Sequence, residues 1–364
     1  ARMQRNADNP YPFRQDSNFY YLTGIEEPCA TLVIDMLHNQ EWVMLPGRSK
    51  VQAIFDGVVD TKKCTDISGV KEIIDEAEGW QRLKQLAGST FYMPAKPAAQ
   101  LDEMFTNPYR SVVARKLRRL TKNIHDIRND LAQLRMIKGD EEIAIIDQAA
   151  RVTRQSIASI ETKLGEYVNE SAVEAELLRQ FKRRGASGHA FTPIVASGDA
   201  SCTLHYVANN APLKKQVVLF DIGAELSNYS ADISRTLTLT NDSWAKQVIG
   251  AVLAAQQAII GAIKPGMSWQ QIAECADNEV GNQLVLLGLL KPGFTHEQVR
   301  PYFPHAVSHF LGLDTHDAGD YTAYLQAGMV ITVEPGIYDL KTGIGARFED
   351  DILITKSGAK ILGD

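Results

Sequence analysis

A chain of 364 residues is too long for one average domain and suits two. Its 45% hydrophobic and 23% charged residues are ordinary globular values that leave apolar surface for sizeable cores. A net charge of −6 and a pI near 5.8 leave no electrostatic case for binding nucleic acid or an anionic membrane.

The four cysteines, Cys29, Cys64, Cys202 and Cys275, lie far apart and form no C-x-x-C pair. That spacing argues against a thiolate zinc site or a disulfide framework and suits a reducing compartment. No apolar run reaches the roughly 18 residues needed to span a bilayer. The polar, arginine-containing opening has no signal-peptide core. The expected location is cytoplasmic, a removed leader aside.

In chain order, Arg14 to Gly24 sets Phe19, Tyr20 and Tyr21 just before a glycine and reads as packing at a strand entry. Ala30 to Asp35, Glu41 to Pro46 and Thr90 to Pro94 are short apolar runs bounded by turn formers, as strands should be. Val70 to Leu86 carries apolar residues at helical spacing. Residues 100–135 are charged and contain helix, punctuated by Pro97 and Pro108. The basic run Arg115 to Arg119 reads as a solvated helix face or end.

A boundary is expected between Leu134 and Gly139, giving domains 1–135 and 136–364. The second opens on Asp140, Glu141 and Glu142, acids that complement a helix N-terminus. Ser171-x-x-Glu174 reads as a capping box for a helix ending near Gly185, with Lys182, Arg183 and Arg184 in its last turn. Trp244 to Ile263 reads as a helix closed by Lys264-Pro-Gly266. Ser268-x-x-Gln271 caps the next helix, which should run to Lys291-Pro-Gly293. Val217 to Ile222, Met329 to Glu334 and Asp351 to Thr355 read as strands. Runs of helix separated from runs of strand indicate an α+β domain.

Three of the eight histidines, His305, His309 and His316, fall in one segment, H-A-V-S-H-F-L-G-L-D-T-H-D. Such density points to metal binding or proton transfer, because imidazole does both. Carboxylates supply candidate partners. Asp221 and Glu334 end apolar strands, where a carboxylate needs a cation, a donor network or a proton. Asp232 follows Asp221 by eleven residues, an odd spacing, so a turn at Asn228 would set the two acids opposite each other in a hairpin. Glu349 enters another apolar strand. Asp350 and Asp351 read as a solvated strand edge. Four carboxylates brought together would repel, and two divalent cations would cancel their charge. Oxygen-rich donors with one imidazole suit manganese, cobalt or zinc, and their hardness favours Mn2+ over Zn2+ or Co2+.

Asp221, Asp232, His309, Glu334 and Glu349 resemble, in order and approximate spacing, the five metal ligands of the pita-bread metallopeptidases. The set D-I-G-A, A-D-I-S-R-T, H-x-x-x-H-F-L-G-L-D-x-H-D, V-E-P-G-I-Y and R-F-E-D-D resembles the proline-specific branch, aminopeptidase P and prolidase. Tyr11 to Gly24 looks like that branch's N-terminal domain, so the resemblance covers nearly the whole chain. It implies a pita-bread catalytic domain behind a smaller mixed α/β domain. It implies an Xaa-Pro aminopeptidase in which a hydroxide bridging two divalent ions attacks the carbonyl before proline. Asp221 would chelate one ion, His309 and Glu334 the other, and Asp232 and Glu349 both.

By the same likeness Glu334 would accept the water's proton and His205 would protonate the departing proline nitrogen. His316 would sit near the scissile carbonyl or the proline, His305 would line the proline side, and Arg347 would orient the site or a substrate carboxylate. The expected partners are peptides with proline second and further copies of the chain, as a dimer or tetramer. An Xaa-Pro dipeptidase, a creatinase-like amidinohydrolase and a non-catalytic peptide-binding domain are the alternatives. Ala306, Thr315, Asn228 and Ser234 depart from the usual motif residues without removing a ligand.

Overall fold

The structure, a computed structural model, describes residues 2–94, 108–214 and 216–364 and divides into two compact units between Leu131 and Ala132. Pro97 lies outside the described residues.

The first unit is built on the strand Gln40–Leu45. It pairs antiparallel with Thr31–Asp35 and parallel with Glu72–Asp75. Its side chains alternate between two cores, as the pleat requires. Trp42 and Met44 pack with Leu83 and Met93, and Val43 and Leu45 with Ile25, Cys64 and Val70. Two readings need correction. The stretch from Val70 is not all helix: Glu72–Asp75 is a strand, and the helix Glu76–Gln85 starts where Asp75 accepts the Ala77 N–H. Asp75 therefore acts as an N-cap, which outweighs the apolar periodicity around it. The aromatic stretch before Gly24 is a helix, Ser17–Thr23. Asp16 caps it at one end and Gly24, at φ 65°, closes it at the other.

In the second unit every described strand pair is antiparallel, and the long helices are separate runs of chain, which makes it α+β. The helices Ser243–Ala262 and Trp269–Leu286 pack through Val248, Val252 and Ile259 against Ile272, Val280 and Leu284. The same core takes in Ile331, Val333, Ile352 and Ile354 from the strands. Each such side chain contributes about 1.5–3 kcal/mol on burial. Ser268 and Gln271 form the expected capping box. The helix stops earlier than Lys291: Gly288 turns left-handed and the Leu289 N–H reaches back to the Leu284 carbonyl, a Schellman closure. The helix Glu170–Arg183 is capped by Asn169, not Ser171, whose hydroxyl donates to the Asn209 carbonyl instead. Among the described residues no helix is long and apolar enough to cross a membrane.

One hairpin positions the site. Val218–Ile222 leads out and Ile233–Leu237 returns antiparallel. Between them Ser227 and Asn228 both adopt positive φ, 47° and 64°, the turn that suits strand twist. Gly223 lies so close to the returning chain that a Cβ there would sit 1.7 Å from the Ala231 carbonyl oxygen.

Candidate metal centre

Asp221 stands on the outgoing strand opposite Ser234, and Asp232 lies just before the returning strand. The histidine segment reaches them by running antiparallel beside Val330–Val333. Phe310 bridges Ile331, the Thr332 N–H donates to the His309 carbonyl at 2.9 Å, and the Glu334 N–H donates to the Val307 carbonyl at 2.9 Å. Glu349 is tied to the hairpin twice: its N–H donates to the Ser234 carbonyl at 3.1 Å, and the Ser234 hydroxyl donates to its carboxylate at 2.7 Å. As a result, the five ligand candidates line one cavity of about 490 Å³ together with His205, His305, His316 and Arg347.

The donor geometry fits a cation. Ligand atoms of Asp232, His309 and Glu349 lie within 4.8 Å of one another. His309 Nε2 is 3.5 Å from Asp232 Oδ2 and 3.6 Å from Glu334 Oε1, beyond a good hydrogen bond. A divalent ion roughly 2.0–2.3 Å from each donor fills such spacing. His309 Nδ1 donates to the Phe310 carbonyl at 2.9 Å, which leaves the lone pair on Nε2. Among the described residues no donor meets the buried Asp221 Oδ1 or Asp232 Oδ1, a costly arrangement unless a cation takes them.

The electrostatics agree. Burial pushes Asp232 and Glu349 well above the usual carboxylate range, and neighbouring carboxylates add to the rise. Burial also lifts Glu334 to about 7, against the pull of His309 and Arg347. These are acids crowded into a dry site, where protons substitute for cations. Burial lowers His305 to about 4 and, with the nearby His309, also lowers His316. The His309 and His316 rings meet edge-on, centroids 4.3 Å apart.

Arg347 is 4% exposed. Its guanidinium donates to Asp221 at 2.6 Å, to the Ser234 hydroxyl at 2.9 Å and to the Tyr338 hydroxyl at 2.8 Å. Burial opposes its charge, but Tyr338, Asp221, Glu349 and Glu334 outweigh that and hold its pKa well above the arginine norm. Tyr338 continues the chain to His305 Nε2 at 2.9 Å, and His305 Nδ1 meets the Ala306 carbonyl at 2.8 Å. Since a carbonyl only accepts, His305 carries its proton on Nδ1, and Nε2 accepts from Tyr338. Tyr338 and Ser234 were not among the sequence candidates. One available signal was Gly336, where a Cβ would press 2.6 Å from the Tyr338 oxygen.

One expectation is overturned outright. Asp350 and Asp351 are not a solvated edge: they are 5% and 0% exposed. Asp350 is held by Arg154, Arg235 and Gln256, while Asp351 accepts the Asp232 N–H at 3.1 and 3.3 Å. A run of three acids suggests solvent, but the strand pairs on both sides and is covered.

Residues 144–356 match the model of metallopeptidase family M24, and residues 1–92 match the aminopeptidase P N-terminal domain. The chain is 33% identical to mouse Xaa-Pro aminopeptidase 3, over 98% of this chain and 75% of that protein. A Bacillus anthracis structure described as an aminopeptidase P superposes with a TM-score of 0.90 at 32% identity, over 100% of this chain and 88% of the other. Escherichia coli aminopeptidase P gives a TM-score of 0.87 at 30% identity, over 100% and 88%. The chain belongs to metallopeptidase family M24, with an aminopeptidase P N-terminal domain ahead of a pita-bread catalytic domain.

Proposed function

We propose that the protein is an Xaa-Pro aminopeptidase dependent on two divalent ions, with manganese favoured by the donor set. The observation that carries this reading is His309 Nε2 between the Asp232 and Glu334 carboxylates, in a cavity shared with Asp221 and Glu349. Ions held by Asp221, Asp232, His309, Glu334 and Glu349 would supply Lewis acidity, making a water more acidic and a carbonyl more electrophilic.

The side chains do the rest. Glu334 takes the proton of the attacking water on its carboxylate. The bond before proline is a tertiary amide without an N–H, so the site must hold its substrate by other groups. His205 is exposed on the cavity lining and protonates the departing nitrogen. His316, whose protonation burial disfavours, closes the wall beside His309. His305 has both ring nitrogens engaged and offers the substrate a ring face. Arg347 gives one donor from each of its three nitrogens to Ser234, Tyr338 and Asp221, and so orients the site. The exposed Val51, Ile54, Phe55 and Val58 support a homo-oligomer, which light scattering would measure.

The deciding assay offers Mn2+-loaded protein an Xaa-Pro-Xaa tripeptide and an Xaa-Pro dipeptide. Release of the first residue from the tripeptide is expected. Cleavage of the dipeptide alone would make the protein an Xaa-Pro dipeptidase. Protein that neither binds Mn2+ nor cuts either peptide would be a non-catalytic binding domain.

A further inference from the structure

Behind the loop bearing His309 and His316 lies a group of buried charges that the proposed chemistry does not use. The side chains of Arg135, Lys138 and Asp317 are 4%, 1% and 1% exposed. Lys138 Nζ donates to Asp317 Oδ2 at 3.0 Å, and Arg135 donates to Asp317 Oδ1 and, at 2.8 Å, to the half-exposed Asp314. Buried ion clusters are poor stabilisers, since apolar residues of similar size often do as well or better. This one is more plainly an organiser of the loop.

Asp317 is its hub. Its carboxylate accepts the Asp314 N–H at 3.2 Å, and its own N–H donates to the Phe310 carbonyl at 2.9 Å. That same carbonyl takes the His309 Nδ1 proton at 2.9 Å. The loop wraps the carboxylate so closely that a Cβ on Gly312 would fall 2.3 Å from Asp317 Oδ2. Lys138 is anchored in turn, its N–H donating to the Gly328 carbonyl at 2.9 Å.

We propose that Arg135, Lys138 and Asp317 are positioning residues that set the orientation and tautomer of His309 through the Phe310 carbonyl. The inference rests on reading His309 as a ligand. A partner hydrogen-bonded directly to a metal ligand, as the Phe310 carbonyl is to His309, typically changes affinity or activity by about 10–100-fold when lost, and Asp317 stands one hydrogen bond behind it.

The test titrates Mn2+ calorimetrically into the metal-stripped full chain, with thermal melts alongside. Two variants are compared with the unaltered protein: Lys138→Met, and the triple Arg135→Met, Lys138→Met, Asp317→Leu. The triple variant should melt no lower than the unaltered protein yet bind Mn2+ about 10-fold more weakly, the low end of that range. The single variant, if folded, should lose affinity in the same direction; if it fails to fold, the triple decides. A folded triple variant with Mn2+ affinity within about threefold of the original overturns the proposal. So does a triple variant that cannot fold, since the cluster would then serve the fold alone. Unaltered protein that binds no Mn2+ removes the ligand reading, and this inference with it.

Discussion

Arg347 shows how much one side chain's shape can carry. Three nitrogens of one planar group meet three acceptors on different strands, and a lysine has a single ammonium to offer. Arg347→Lys should lower kcat/KM by about 10²-fold, because it frees Asp221 and Tyr338 from their set positions. Steady-state kinetics with a tripeptide would show it, and near-normal kcat/KM would mean the fork is dispensable. His205 is a cleaner separation of roles, since it donates to no ligand candidate. His205→Ala should cut kcat by about 10²–10⁴-fold, the usual range for general acid–base catalysis, with bound Mn2+ unchanged by elemental analysis. Unaltered turnover would take His205 out of the mechanism.

At the scale of an element, the hairpin that presents Asp221 and Asp232 depends on two backbone features. The turn needs positive φ at Ser227 and Asn228, and asparagine tolerates it better than most residues. The crossing needs no side chain at Gly223, where the obstructing atom is a backbone oxygen that cannot swing aside. Gly223→Ala should therefore destabilise the protein by about 3 kcal/mol or more, the upper end of overpacking costs. Urea unfolding would measure it, and a cost under about 1 kcal/mol would show that the hairpin can spread. The strand from Asp350 shows the same dependence on alternation. Glu349 and Asp351 point toward the centre and the Asp232 N–H, while Asp350 turns to Arg154 and Arg235.

For the whole molecule, the crowded carboxylates link stability to both pH and metal. Glu334 rises from an ordinary 4.5 to about 7, and Asp232 and Glu349 are also raised, so the metal-free fold holds protons that the unfolded chain has released. For Glu334 that contribution is fully present below about pH 4.5 and is lost as pH climbs through about 7. Divalent ions bind the ionised form and compete with the protons. Mn2+ at a hundred times its Kd should therefore add about 2.7 kcal/mol at pH 8, and the same concentration should add much less at pH 5. Thermal melts at the two pH values, with and without Mn2+, would show the difference. A melting temperature raised equally at both would contradict the linkage.

By itself the sequence determined what local chemistry controls. The Asn228 turn, the Ser268 cap and the apolar strands follow from rules that act over a few residues, and likeness to a motif family named five ligand candidates that line one cavity. It failed where a neighbour overrode a period, as Asp75 did in ending a strand inside an apparent helix. Only the tertiary structure decided that Asp351 is buried against Asp232, that Ser234 grips Glu349, and that Lys138 and Arg135 close on Asp317. Those partners lie 119, 115 and up to 182 residues apart. Burial and hydrogen-bond satisfaction are settled by which surfaces meet in space, and no periodicity along the chain encodes such meetings.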